Sequence, residues 1–207
     1  MTQLFQTFSA DFVSGFKYTI YASLLALVFS LIIGTIMAIL QLSHNRIIRS
    51  LAKAYVAFFR NIPLLIIVMF FYVVAPMYFY SFDGFQAGTI GLTIYTSAFI
   101  AETVRSGIQT VPKGQMEAGL SSGFSYSETM RYIVLPQAFK IVVPPLGNQF
   151  INLIKNSSIL AMVAGLDLMY QGDLIASTTF NTFDTYIIVG LFYLVLTLPL
   201  SYLMNYL

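Results

Sequence analysis

Asn148, Asn152, Lys155, Asn156, Ser157 and Ser158 crowd into an otherwise apolar stretch, directly after Pro144-Pro145. Carboxamides, hydroxyls and an ammonium group concentrated in this way suit hydrogen bonding to a small polar solute, whereas a purely structural helix in lipid would hardly carry them. A helix broken at the double proline would restart near Asn156 or Ser157. Its free N–H groups and positive dipole end would then face an anionic group such as an amino acid's carboxylate. Lys155 either adds charge to such a site or lies at the outer interface. On an earlier apolar run, Glu102 and Arg105 are three residues apart and share a helix face. Ionisable groups at that depth are expensive unless they pair or face water. With Arg60 they read as a gate or cavity wall, where Glu102 could meet an ammonium group. The pair can equally be an intrahelical one near the interface, with Arg105 snorkelling.

The elements that must position these groups are membrane spans. The chain of 207 residues is 58% hydrophobic and only 9% charged, against roughly 25% charged residues in a soluble domain. Its net charge of +2 is too small to suggest nucleic acid binding. There is no cysteine, hence no disulfide or thiolate chemistry, and the redox compartment stays open. The single histidine, His44, stands beside Asn45 and Arg46 in a polar loop without the further ligands a metal site needs. Residues 1–14 lack the basic start of a cleaved signal peptide. No Walker A pattern occurs, so ATP hydrolysis is not expected of this polypeptide.

Taken in order, Leu4, Phe5, Phe8, Phe12 and Phe16 have helical spacing and suggest a helix lying in the interface. Five apolar spans follow, at about 18–42, 54–80, 87–108, 137–164 and 185–207. Arg60, Asn61 and Pro63 interrupt the second; Pro144-Pro145 and the polar run break the fourth into pieces. Arg46, Arg49, Lys53, Lys113 and Arg131 fall in the first and third connections, and the others contain Asp83, Asp167, Asp173 and Asp184. The positive-inside rule then places the N-terminus outside, the C-terminus inside and the third connection in the cytoplasm. No repeat or linker marks a second domain, so residues 1–207 are expected to form one all-α transmembrane domain.

That third connection, about 111–136, has a character of its own. Pro112 can open a helix, Gly114 and Gly123 bracket about two turns, and Ser125 with Glu128 has capping-box spacing. Glu117, Ala118, Gly123, Ile133, Leu135 and Pro136 stand in the register of the EAA loop, and this segment resembles that loop of bacterial ABC importer permeases. Gly119 departs from the second alanine and lowers helix stability by about 1 kcal/mol. The flanking words, from Glu102 to Gln115 and Leu135-Pro-Gln-Ala138, look like the polar amino acid branch of the family.

The resemblance implies a type I ABC importer fold and a permease subunit forming the pathway for a polar amino acid. It implies a multi-pass chain in a bacterial cell membrane, with a second permease chain, identical or not. Separate ATP-binding subunits would hold ATP and Mg, and an extracellular solute-binding protein would deliver substrate. Gly114, Glu117, Ala118, Gly119 and Gly123 would belong to the coupling helix that docks on the ATPase. The pathway would be lined by the polar residues named at the outset. Alternatives are a permease of the same class for another solute, or an autonomous secondary transporter, against which five spans without inverted halves argue.

Overall fold

The computed structural model describes residues 1–206; Leu207, the expected end of the fifth span, lies outside the described residues. Among these every regular element is helical: α1 (Thr2–Gln41), α2 (Arg46–Asn61), α3 (Leu64–Met69), a π turn (Phe70–Val74) and α4 (Ala75–Tyr78) come first. They are followed by α5 (Gly84–Thr110), α6 (Lys113–Ser121), α7 (Tyr126–Thr129), a second π turn (Met130–Val134) and α8 (Leu135–Asn156). A 3-10 segment (Ser157–Val163), α9 (Leu168–Thr179) and α10 (Thr182–Tyr206) complete the chain.

The centre is α1 against α5. The buried side of α1 runs Gly15, Thr19, Ala22, Ser23, Ala26, Ser30, Gly34, Ala38, and α5 answers with Gly84, Ala87, Gly88, Gly91 and Ala98. Small residues let the backbones close, and dispersion and short-range packing then hold helices that lipid would not drive together. A Cβ on Gly34 would stand only 2.8 Å from the Ser97 carbonyl oxygen. Asp83 starts α5 with a capping box to Gln86 (Gln86 N–H to Asp83 Oδ1, 2.8 Å).

The N-terminal residues are helical and meet the rest of α1 at a kink at Phe8 (φ −108°, ψ 19°), where two helices join. Phe12 is buried against Leu168, Ile175, Ile188 and Val189, so tertiary packing claims that aromatic stripe. The stretch 54–80 is not one straight helix, because α2 and the 64–78 helix meet at 104° across Ile62-Pro63. Pro63 lacks an N–H and forces the residue before it out of the α region. Pro144 and Pro145 do not break the fourth span: α8 runs through both. Ile141, whose carbonyl Pro145 leaves without its helical N–H partner, borders a cavity together with Pro145. By length and composition alone, two helices among the described residues are long and apolar enough to cross a membrane, Thr2–Gln41 and Thr182–Met204, or four when each of two bent pairs is one span. α5 is not among them. Sheathed by its neighbours, it turns Gly, Ala, Ser and Thr inward and needs little apolar surface.

Two π turns share a cause. Each precedes a proline at the same offset, Phe70–Val74 before Pro76 and Met130–Val134 before Pro136. A proline ring collides with the carbonyl four residues back, and a locally widened turn gives it room without ending the helix.

Candidate functional site

The polar corner is built first. α6 starts at Pro112, whose carbonyl accepts from Gln115 N–H (3.0 Å), and ends at a left-handed Gly123 (φ +89°). Gly123 N–H donates to Leu120 O at 3.1 Å and Phe124 N–H to Gly119 O at 3.2 Å, a Schellman closure. Ser125 and Glu128 then cap α7 reciprocally, with Ser125 N–H to Glu128 Oε2 at 2.8 Å. The Ser125 backbone and hydroxyl donors hold the Glu128 carboxyl below the usual carboxylate range. Gly119 is buried, and a Cβ there would meet Thr129 Cγ2 at 2.4 Å; that close crossing of α6 over α7 explains a glycine where helix propensity disfavours one. Gly114 makes no turn, contrary to expectation: it lies inside α6 with open space around it. Glu117 and Ala118 are exposed, beside the half-exposed apolar side chains of Leu120, Phe124 and Tyr126.

α7, the π turn and α8 form one continuous helical path from this corner to a polar cavity. The cavity's upper part, about 140 Å³, is lined by Tyr95, Thr96 and Phe99 of α5 with Gln149, Asn152 and Asn156 of α8. A lower part of about 320 Å³ shares Phe99 and Gln149 and adds Arg60, Glu102, Thr103 and Ser106. Gln149, Asn152 and Asn156 are spaced i, i+3, i+7 and so share one helix face. Gln149 was missed in sequence, although that spacing could have found it.

Arg60 reaches the cavity from the end of α2. The Tyr55 hydroxyl bonds Ser97 Oγ at 2.7 Å, pinning α2 to α5, and the Arg60 guanidinium lies 5.4 Å over the Phe99 ring. Glu102 is claimed mainly by Arg105, which approaches both carboxylate oxygens, Nε at 3.1 Å from Oε2. Arg60 is only 3.9 Å from the same carboxylate and 40% exposed, a loose pair of small energetic weight. Glu102 and Arg105 thus form an intrahelical pair, and Glu102 is also among the residues that border the cavity. Glu102 has little spare charge for an ammonium group, whereas Arg60 has charge to offer an anion.

The rest of the polar run is arranged otherwise than expected. No α-helix begins at Asn156 or Ser157: the 3-10 segment continues there from α8, and Asn156 has helical backbone (φ −70°, ψ −19°) and makes no side-chain cap. The next α-helix start is at Asp167, which caps α9. Ser157 and Ser158 donate back to Ile154 O (2.8 Å) and Lys155 O (2.9 Å), tightening α8 into the 3-10 segment. Asn148, Lys155, Ser157 and Ser158 line neither part of the cavity.

The family described as "Binding-protein-dependent transport system inner membrane component" matches residues 8–207. The chain belongs to this family. Such an inner membrane component is a permease subunit of an ABC transporter, in accord with the apolar helices and the corner described above. Among its relatives, the probable glutamine ABC transporter permease protein GlnM of Bacillus subtilis (strain 168) is 58% identical over 204 residues, covering 99% of this chain and 94% of that one. The glutamine transport system permease protein GlnP of Escherichia coli (strain K12) is 34% identical, covering 93% and 89%. In three dimensions the permease resembles a chain in the crystal structure of an amino acid ABC transporter with histidines. The TM-score is 0.91 at 35% identity, with 96% of this chain and 93% of that one covered. Its all-helical architecture is that of type I ABC importer permeases.

Proposed function

We propose that this permease subunit carries a polar amino acid, glutamine first, inward across a bacterial cell membrane, driven by ATP hydrolysed in partner subunits. The observation that carries the reading is the continuous path from the α6–α7 corner through α8 to the amide-lined cavity. A movement imposed at one end is delivered at the other. Exposed Glu117 and Ala118, with Gly119 and Gly123 shaping the corner, dock on the ATP-binding subunit, which holds ATP and Mg. A second permease chain completes the pathway, and an extracellular solute-binding protein loads it. Alternating access follows: ATP binding closes the partner subunits, the corner moves with them, and the paired chains open outward. Relatives that carry glutamine in their names, one of them 58% identical, support this substrate over other solutes.

In the pathway, Arg60 faces the substrate's carboxylate while Gln149, Asn152 and Asn156 meet its neutral polar groups. The assembled complex should show ATP turnover stimulated by glutamine with its binding protein, and not by phosphate or peptides. Losing one charge-assisted hydrogen bond costs about 1.5–3 kcal/mol, roughly 10- to 150-fold in affinity. Arg60→Met and Asn152→Leu should weaken the substrate dependence of transport by that order while basal turnover persists. Lys155→Met, outside the cavity, should change it little. Unaltered concentration dependence in the first two variants would remove the cavity from the pathway.

The orientation follows charge, with the corner in the cytoplasm and the Asp173 connection outside. The chain has no cysteine of its own. A cysteine placed at Asp173 should react with an impermeant thiol reagent in intact cells, and one at Lys113 should not. The opposite pattern would invert the topology.

A further inference from the structure

The turn joining the 3-10 segment to α9 is held in a costly shape around a buried carboxyl group. Ala164 (φ 54°) and Leu166 (φ 61°) both adopt left-handed backbone, which side-chain-bearing residues enter at an energetic cost. Asp167, next in the chain, is 0% exposed. Its Oδ2 accepts from Met169 N–H at 3.1 Å and so caps α9, but Oδ1 is buried without a hydrogen-bond partner. The neighbouring Leu168 N–H is taken by Thr19 Oγ1 of α1 at 3.0 Å. From α10, Tyr193 brings its hydroxyl toward Thr19, Ser157 and Asp167, and that oxygen too is buried without a partner. Two orphaned oxygens, one a carboxyl, thus lie in one packed spot.

No cation balances the carboxyl. Among the described residues no Lys, Arg or His pairs with Asp167. The titratable groups that bear on it are Asp173 of α9 and Tyr193 of α10; α1 presents the uncharged Thr19 and the 3-10 segment the uncharged Ser157. An ionised carboxylate left so is expensive, and a single proton removes most of that expense while adding a donor. The site is too enclosed for bulk water to do the same.

We propose that Asp167 is a proton-binding site: its protonated Oδ1 satisfies the Tyr193 hydroxyl, directly or through one water, and locks the turn between the 3-10 extension of α8 and α9. Loss of the proton places an uncompensated charge beneath that turn. The helix start offsets part of this, since the Met169 N–H favours the anion. Burial nevertheless pushes the Asp167 carboxyl up to about 7, from an ordinary 3.8. The direction of linkage is set by protons bound. Between these two values the native chain holds a proton that the unfolded chain has released, so stability falls as pH rises, then levels off above about 7. The Glu128 carboxyl, held below the usual range, contributes the opposite slope and only at lower pH.

The full-length chain, purified in detergent with its partner subunits, tests this by the fraction surviving heating at a series of pH values. From about pH 5 to pH 7 the wild-type midpoint should drop by roughly 3 °C per pH unit relative to Asp167→Asn, which keeps shape and a donor without titrating. Parallel curves for the two proteins would overturn the proposal. If Asp167→Asn fails to accumulate, the wild type alone decides by infrared spectroscopy. A protonated-carboxyl band should be present at about pH 6 and vanish with a midpoint near 7, and shift in Tyr193→Phe. Absence of that band at the lower pH overturns the assignment. So does restoration of high-pH stability by sodium over potassium chloride, which would make a metal ion, not a proton, the ligand.

Discussion

Gly84→Ala should leave almost no folded chain in the membrane, whereas Gly147→Ala, equally tight by distance, should be tolerated. At both glycines an added Cβ would stand 1.8 Å from a neighbouring heavy atom. What differs is the neighbour. Beside Gly84 it is the Val163 carbonyl oxygen, with Ala164 backbone atoms at 2.8 Å, and Ala164 is already in a left-handed conformation. Nothing there can rotate aside, so α5 must lift off the turn and disturb the α1–α5 seam. The loss should reach or exceed the roughly 1–3 kcal/mol usual for overpacking. Beside Gly147 the neighbour is the Met204 side chain, which has three rotatable bonds and a soft sulfur. Alanine also restores about 1 kcal/mol of helix propensity at that position. Chain recovered in detergent and its melting midpoint would compare the two. Equal losses would mean that the 163–164 turn yields as easily as a methionine.

The second large effect concerns the corner. Gly123→Leu should abolish uptake while the chain still inserts, and Glu117→Lys should do so by a different route. Leucine at a left-handed position costs roughly 1–2 kcal/mol, a factor of about 5–30 in the population that keeps the Schellman closure. Glu117→Lys leaves the backbone alone and reverses a charge on the exposed face of α6. Gly114→Ala is the control, since the added methyl meets nothing within 4 Å and should leave uptake intact. Uptake and ATP turnover measured on the same preparations separate uncoupling from misassembly. Wild-type uptake in both Gly123→Leu and Glu117→Lys would remove the corner from the coupling role.

The corner was legible in the sequence because its signals are local. A proline before the first turn, glycine after the last, and Ser125 three residues before Glu128 act within a few residues of themselves. The polar run was legible as a collection and not as a geometry. Pro144-Pro145 looked like the break, yet the tightening occurs at Ser157 and Ser158, whose hydroxyls bond back along the helix. Which backbone groups a proline frees is a local fact; whether water can reach them depends on a cavity made by another helix. Arg60 and Glu102 were singled out for their charge, and Pro63 signals an interruption beside Arg60, but neither the angle of that bend nor the Tyr55–Ser97 bond, on which their separation depends, has a sequence signal. Phe12 was read as an interfacial aromatic because hydrophobic periodicity cannot say what lies opposite it.

The π turn at Met130–Val134 has a consequence for how the corner and the cavity are clocked against each other. A π turn amounts to one residue more than an α-helix would spend on the same rise, and each residue turns the helix by about 100°. Gln149, Asn152 and Asn156 face α5 only because that extra residue has been counted in. Removing it and relieving Pro136 would restore a smooth helix of unchanged composition. Its amides would then point about 100° away from Tyr95 and Phe99. The azimuth of the amide face is therefore written more than two helical turns upstream of it, in the spacing between the capped corner and a proline, rather than in the amides themselves.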